Sequence, residues 1–312
     1  MSGNRFMGKM NASEIAKRLM TNPALFADIH IVSKKFEILP DDHIHYGACI
    51  DYQDIQELRE DFLADLLDTV VDWVYSAEKY AQLKELETQK GKTDATAHSS
   101  VNRKAREKFR KGSEDNLLVQ GQFGELLLFH FIQKCMGAVP LLRKMRITTS
   151  AQIERLGADA IHYKIDKGKN IIILGEAKTY SSESKFNQAF SDALDSILNT
   201  YKMHRKELNL YVHEDFLDEK LDSIAEAYLD KKLENTEIHL VSIVIYNETK
   251  KISLTDENDI KKQIDRIIET RYRNFDNSKI PIAENPILRR ITYIIFPIWK
   301  LDELLKEFQK RL

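Results

Sequence analysis

Three residues near the middle of the chain have the types and spacing for metal-assisted phosphoryl chemistry. Glu176 and Lys178 stand two apart at the end of the apolar run in NIIILGEAKT, residues 170–179. Side chains two apart on a strand share one face, so this carboxylate and this ammonium point the same way. Losing hydration there is unfavourable unless the two groups serve one another or a ligand. Upstream, Asp159 stands in Gly157-Ala158-Asp159-Ala160. Ile165-Asp166-Lys167-Gly168-Lys169 reads as a short turn, so the flanking segments form a β-hairpin. A turn through Asp166–Lys169 leaves Asp159 and Glu176 seven residues away on each side, facing one another at about 5 Å between Cβ atoms. Carboxylates this close repel unless a proton or a cation lies between them. Hard oxygen donors of this kind suit Mg²⁺, with Mn²⁺ able to replace it. Lys178 would lie beside metal and phosphate, where it can orient or deprotonate the attacking water or neutralise developing charge. The alternative is a weak surface ion pair between Lys178 and Asp159, with Glu176 solvated.

The elements that must position these groups follow from periodicity. Residues 26–37 and 44–50 have strand character. From Asp54 to Leu86, Ile55, Leu58, Phe62, Leu66, Val70, Val74, Ala77 and Ala81 make one apolar stripe at helical spacing, which predicts one long helix. Residues 89–116 are polar and rich in Lys, Arg, Ser and Thr, and read as a flexible linker. Beyond it the spacing predicts a helix over 117–136, strands over 140–148, 158–164 and 170–179, and a helix over 184–207 capped by Ser182 or Ser184. An acidic helical stretch follows at 214–235, then a strand over 237–246, a helix over 257–277, a strand over 291–298 and a closing helix from Leu301. Asp302 and Glu303 at its start and Lys310 and Arg311 at its end suit the helix dipole. The core order is α-β-β-β-α-β.

Asp159, the tripeptide Glu176-Ala177-Lys178 and this element order resemble the PD-(D/E)xK nuclease superfamily. Ala158 stands where the superfamily usually has Pro. The resemblance implies an α/β fold with a restriction-endonuclease-like αβββαβ core and a mixed central sheet over 111–312, preceded by a helix-rich N-terminal region over 1–110. It implies hydrolysis of phosphodiester bonds with Mg²⁺ held by Asp159, Glu176 and the backbone carbonyl of Ala177. Glu125, in GQFGE on the preceding helix, matches the acidic residue that holds a metal-bound water or a second metal. Gln188 or Lys185 matches the polar residue on the helix after the tripeptide. More narrowly, GADAIHY, GEAKTY and ITYIIFPIWKLDELLKEF resemble the HamA nuclease subunits of Hachiman anti-phage defence. That resemblance covers roughly residues 20–312. It implies DNA as substrate, a one-to-one complex with a helicase subunit, HamB, and activity restrained until foreign or damaged DNA is sensed. The contrasting reading is a nuclease-fold adaptor without catalysis that binds DNA ends or a helicase; such a scaffold has no need of the acid–acid–Lys set.

Other features bear on partners. The formal net charge is −2, from 47 Lys plus Arg against 49 Asp plus Glu, so any nucleic-acid surface must be local. Arg103, Lys104, Arg106, Lys108, Arg110 and Lys111 crowd into VNRKAREKFRK with one acid, Glu107. With Arg143, Lys144 and Arg146 they suit phosphate contacts, of which Arg103, Lys104, Arg106 and Lys144 are the leading candidates. Residues 214–235 carry eight acids against three lysines, a face that DNA should avoid and that suits partner docking or plain solvation. His43, His45 and Cys49 lack a fourth ligand for zinc, and His162 points away from Asp159. Gly121-Gln122-Phe123-Gly124 lacks the Gly-Lys-Ser/Thr ending of a phosphate loop, so no nucleotide triphosphate binding is expected. Two cysteines, Cys49 and Cys135, are too few for a disulfide framework. No run reaches 18 apolar residues and the first residues lack signal-peptide character, so the expected location is the cytoplasm, away from membranes.

Overall fold

A computed structural model describes residues 23–109, 119–142, 157–211 and 221–312. Its centre is a seven-stranded mixed sheet, built from β1 (Ile29–Lys34), β2 (His45–Ile50), β5 (Val139–Leu142), β6 (Ala160–Asp166), β7 (Lys169–Tyr180), β8 (Thr236–Asn247) and β9 (Ile291–Ile298) in the order β1-β2-β9-β8-β7-β6-β5. A two-stranded ribbon, β3 (Tyr52–Gln53) with β4 (Gln56–Glu57), stands apart from it. The middle of the sheet is parallel, from β2 through β9 and β8 to β7, and both flanks are antiparallel. Strands buried on both faces read as continuous apolar runs. That is why Ile171–Leu174 and the β9 segment show no alternation.

The helices are α1 (Arg59–Asp68), α2 (Val70–Val74), α3 (Ala77–Gln89), α4 (Asp94–Arg106), α5 (Val119–Met136), α6 (Phe186–Tyr211), α7 (Asp222–Leu229), α8 (Glu257–Arg273) and α9 (Leu301–Arg311). They cover both faces. Ile172 and Leu174 of β7 join a core with Phe190, Ala193 and Ile197 of α6 and Ile264 of α8. Ile171 and Ile173 join the opposite core, with Leu127, Phe131 and Ile132 of α5 and Phe308 of α9. The sequence α5-β5-β6-β7-α6 followed by β8 is the expected αβββαβ order, with the short α7 inserted before the last strand.

Several expectations change. The single helix over Asp54–Leu86 is three. Thr69 ends α1 and bonds Leu66 O at 2.7 Å through its hydroxyl, Tyr75 is extended, and Ser76 caps α3 by accepting from Lys79 N. The apolar stripe is real only to Val74, since Ile55 is exposed at 42% and Ala77 and Ala81 face solvent. The expected linker is helical over Asp94–Arg106, where Ala97, Val101, Ala105 and then Phe109 recur at four-residue spacing and are buried. Small alanines carry that stripe, so composition alone reads it as polar. The part of that segment beyond 109 lies outside the described residues, as do Arg143, Lys144, Arg146 and the acids Glu214, Asp215, Asp218 and Glu219. Among the described residues, the region before residue 110 holds four α-helices together with strands at the two places where strand character is expected. β1 and β2 enter the same sheet as the hairpin, because β2 pairs in parallel with β9 at Tyr46↔Ile294. Helix α6 starts at Phe186, with Ser184 at φ 58°, so neither Ser182 nor Ser184 caps it; Lys185 O accepts from Ala189 N instead. Among the described residues no helix is long and apolar enough to cross a membrane.

Helix α5 lies close on β7 because Gly124 has no side chain. A Cβ there would stand 2.5 Å from Thr179 Oγ1 and 3.3 Å from Ala177 Cβ. Gly121, one turn earlier on the same helix, has nothing within 4 Å of its Cβ position. Gly124→Ala should therefore destabilise the fold by about 1–3 kcal/mol through overpacking. Gly121→Ala should be neutral or stabilise it by up to about 1 kcal/mol through helix propensity. Urea denaturation of the two variants checks the opposite signs; equal effects would show that α5 does not press on β7.

Candidate metal centre on the β6–β7 hairpin

The hairpin registers as the spacing predicts. Asp166 pairs with Lys169 across a two-residue turn in which Lys167 and Gly168 both have positive φ, and the ladder runs to Ala160↔Gly175. Asp159 N continues it by donating to Gly175 O at 3.1 Å. One step further the Asp159 carboxylate accepts from Ala177 N at 2.9 Å, which brings it to the Glu176-Ala177-Lys178 tripeptide.

Glu176 is buried, with a side-chain exposure of 5%, on the α6 face of β7. Lys178 Nζ donates to its Oε1 at 3.1 Å. From α6, Ser196 Oγ donates to Oε1 at 2.5 Å and Thr200 Oγ1 donates to Oε2 at 3.0 Å. These hydroxyls are one helical turn apart, so a single face of α6 grips both oxygens. Burial raises the Glu176 carboxyl to about 7, the neighbouring Asp159 carboxylate pushes the same way, and Lys178 and Ser196 oppose both. Lys178 thus pairs with Glu176, and Glu176 is not the solvated group of the surface ion-pair reading.

Ser196 and Thr200 escaped sequence reasoning, although two hydroxyls four apart on a helix facing an apolar sheet are a readable signal. Ser242 escaped too. It lies opposite Glu176 in the β7–β8 register, and its buried Oγ has no hydrogen-bond partner among the described residues. Its signal is a lone polar residue inside LVSIVIY.

The other expected residues are placed as follows. Glu125 is half-buried on α5, the helix that presses on Ala177 and Thr179, the face of β7 opposite to Glu176. Gln120 of the same helix secures the end of β7, donating to Thr179 O while Ser181 Oγ donates to its Oε1 at 3.3 Å. Lys185 and Gln188 are exposed and bond one another at 3.1 Å. Gln188 precedes Ser196 by eight residues, about 12 Å along the helix, so the groups that α6 does bring to Glu176 are its hydroxyls. Of the basic candidates, Lys104 donates to the buried Glu87 at 2.7 Å, and Arg106 donates to Asp68 at 3.2 Å. Arg103 is exposed at 71% and lies 3.9 Å from Glu107. His45 is a core residue, with Nε2 on Pro40 O and Nδ1 accepting from Tyr293 N. His162 is buried against Phe129 of α5, away from Asp159.

The donor set fits a hard divalent ion. Among the described residues no group of three or more His, Cys, Asp or Glu converges as a metal cage. Mg²⁺ needs none, because it is held through one or two carboxylates and keeps its waters. Lys178 and Ser196 take both lone pairs of Glu176 Oε1, and Thr200 takes one of Oε2, which leaves one on Oε2 for a cation.

The HamA family model matches residues 25–312, and the chain belongs to that family of Hachiman defence components. No curated protein matches it.

The burial of Glu176 has a measurable sign. In the metal-free fold it keeps its proton up to about pH 7, whereas in the unfolded chain it loses it near 4.5. The folded state therefore loses stability as pH rises through that window, and the loss is complete above it. Glu176→Gln removes the penalty. Its stability relative to the parent should rise between about pH 4.5 and 7, by a total on the order of 3 kcal/mol. Denaturation in chelator across pH 4–8 checks this; a difference independent of pH would show that Glu176 is not held protonated.

Proposed function

We propose that this HamA chain is a metal-dependent deoxyribonuclease whose centre is Asp159, Glu176 and Lys178. The observation that carries the reading is the meeting of two carboxylates at the hairpin, one of them buried, with the partly exposed Lys178 ammonium bonded to the buried one. Asp159 and Glu176, with the Ala177 carbonyl, would hold Mg²⁺ or Mn²⁺. The ion would polarise a phosphodiester oxygen and lower the pKa of a bound water.

The chain's own residues do the rest. Ser196 and Thr200 fix the Glu176 carboxylate, so that no reorganisation of this ligand is needed when DNA arrives. The Ala177 N–H fixes Asp159. Lys178, exposed at 29%, reaches the outside and can turn from Glu176 to the attacking water or the phosphate once a cation neutralises the carboxylate. Glu125, on the helix that covers the opposite face of β7, stands outside this set. Arg103 and Lys144 remain the phosphate-contacting candidates, whereas Lys104 and Arg106 serve the fold first.

Asp159→Ala, Glu176→Ala and Lys178→Ala should each lower Mg²⁺-dependent plasmid cleavage by at least about 100-fold, with folding intact by circular dichroism, and chelator should abolish cleavage by the parent. Parental rates in either acid variant would remove the assignment. Cleavage by none of the proteins, parent included, would leave the adaptor reading.

The chain has no phosphate loop of its own. We therefore assign control to a partner, a HamB-like helicase in a one-to-one complex that restrains cleavage until DNA and ATP are supplied. Gel filtration of the co-expressed pair should give a single species, and plasmid cleavage should be lower than for the free subunit until both are added. Separate elution at micromolar concentration, with cleavage unaffected by the helicase, would remove this control.

A further inference from the structure

Asp159 needs a support of its own, because the residue before it leaves the β6–β7 ladder. Two turns beyond Thr200 on α6 is Glu207, a carboxylate exposed at 7% and outside the catalytic set. Its Oε2 accepts from Ala158 N at 2.7 Å. Its head group fills the space over Gly157, where a Cβ would stand 2.2 Å from Oε1 and 2.4 Å from Cδ. Gly157 has φ 148°, a conformation that side chains disfavour. The backbone just ahead of Asp159 is thus bent over a buried carboxylate that only glycine admits.

We propose that Glu207 is a positioning residue: through Ala158 N–H and the cleft at Gly157 it sets the angle at which Asp159 meets Glu176. The proposal rests on the metal-nuclease reading above, and it assigns to one helix face the placement of both metal ligands. Ser196 and Thr200 place Glu176, and Glu207 places Asp159. Groups that hold a ligand's neighbours typically change metal affinity by about 10–100-fold when removed.

Mn²⁺ binding to the full chain, followed by electron paramagnetic resonance, tests it without reference to cleavage. Glu207→Ala and Gly157→Ala should each weaken Mn²⁺ binding by about 10–100-fold. The double variant should be no weaker than Glu207→Ala alone, since both changes break one contact. Glu207→Gln, which keeps an acceptor oxygen, should regain most of the affinity. In plasmid cleavage the Mg²⁺ concentration for half-maximal rate should rise by the same factor, with the rate at saturating Mg²⁺ changed far less. Parental Mn²⁺ affinity in folded Glu207→Ala would overturn the proposal. Should that variant fail to fold, parental affinity in Gly157→Ala would overturn it equally. Asp159→Ala separates the two levels: if it too binds Mn²⁺ as the parent does, the metal site lies elsewhere and the nuclease reading falls with the positioning one.

Discussion

Two carboxylates must be kept together largely out of water, and most of the architecture around them answers to that constraint. Unit charges about 5 Å apart at an effective dielectric of 20 repel by about 3 kcal/mol. Burial of Glu176 adds to that penalty. The protein offsets it with specific groups: Lys178 against one oxygen, a hydroxyl on each oxygen from α6, and the Ala177 N–H on Asp159. None of these cancels both charges. What remains is an unfavourable pair held in place by favourable surroundings, unlike an ordinary ion pair.

The surroundings must be rigid, and the two helical layers supply this differently. On one side α5 comes to van der Waals contact with β7 through Gly124 and Gly175, and Gln120 secures the strand's end. On the other side α6 carries the polar grip. The row that starts with Asp159 and Glu176 continues across the sheet to Ser242, then Tyr293, then His45 through the backbone of Tyr293. Burial lowers His45 to about 4, so that end of the row is neutral. The charge is therefore concentrated at the hairpin end, with apolar packing from Phe190 against Tyr293 closing the rest.

Much of this was legible in the sequence because the hairpin encodes its own register. A two-residue turn fixes every pair, so Asp159 and Glu176 could be set opposite one another by counting outward from Asp166 and Lys169, and β9 and α9 were bounded by clear runs and dipole-compatible ends. What was illegible depends on contacts between distant segments. The spacing of Ser196 and Thr200 marks two hydroxyls on one helix face, but that they, rather than Gln188, reach Glu176 follows from how α6 crosses β7. Helix α4 was hidden because Ala97 and Ala105 bury little apolar area yet suffice against a neighbouring helix. The break at Thr69 and Tyr75 was hidden because the apolar repeat runs through it.

The strand order makes the sheet lopsided about the β6–β7 hairpin. From β7 it is two strands to the β5 edge but four to the β1 edge. At strand spacing that is roughly 10 Å against 19 Å. The two margins of the molecule are therefore not equivalent landing grounds. A macromolecule laid along β5 would overhang the carboxylates and compete with anything entering there. One laid along β1 would leave the mouth open, and could act on it only by altering the twist of the intervening parallel strands.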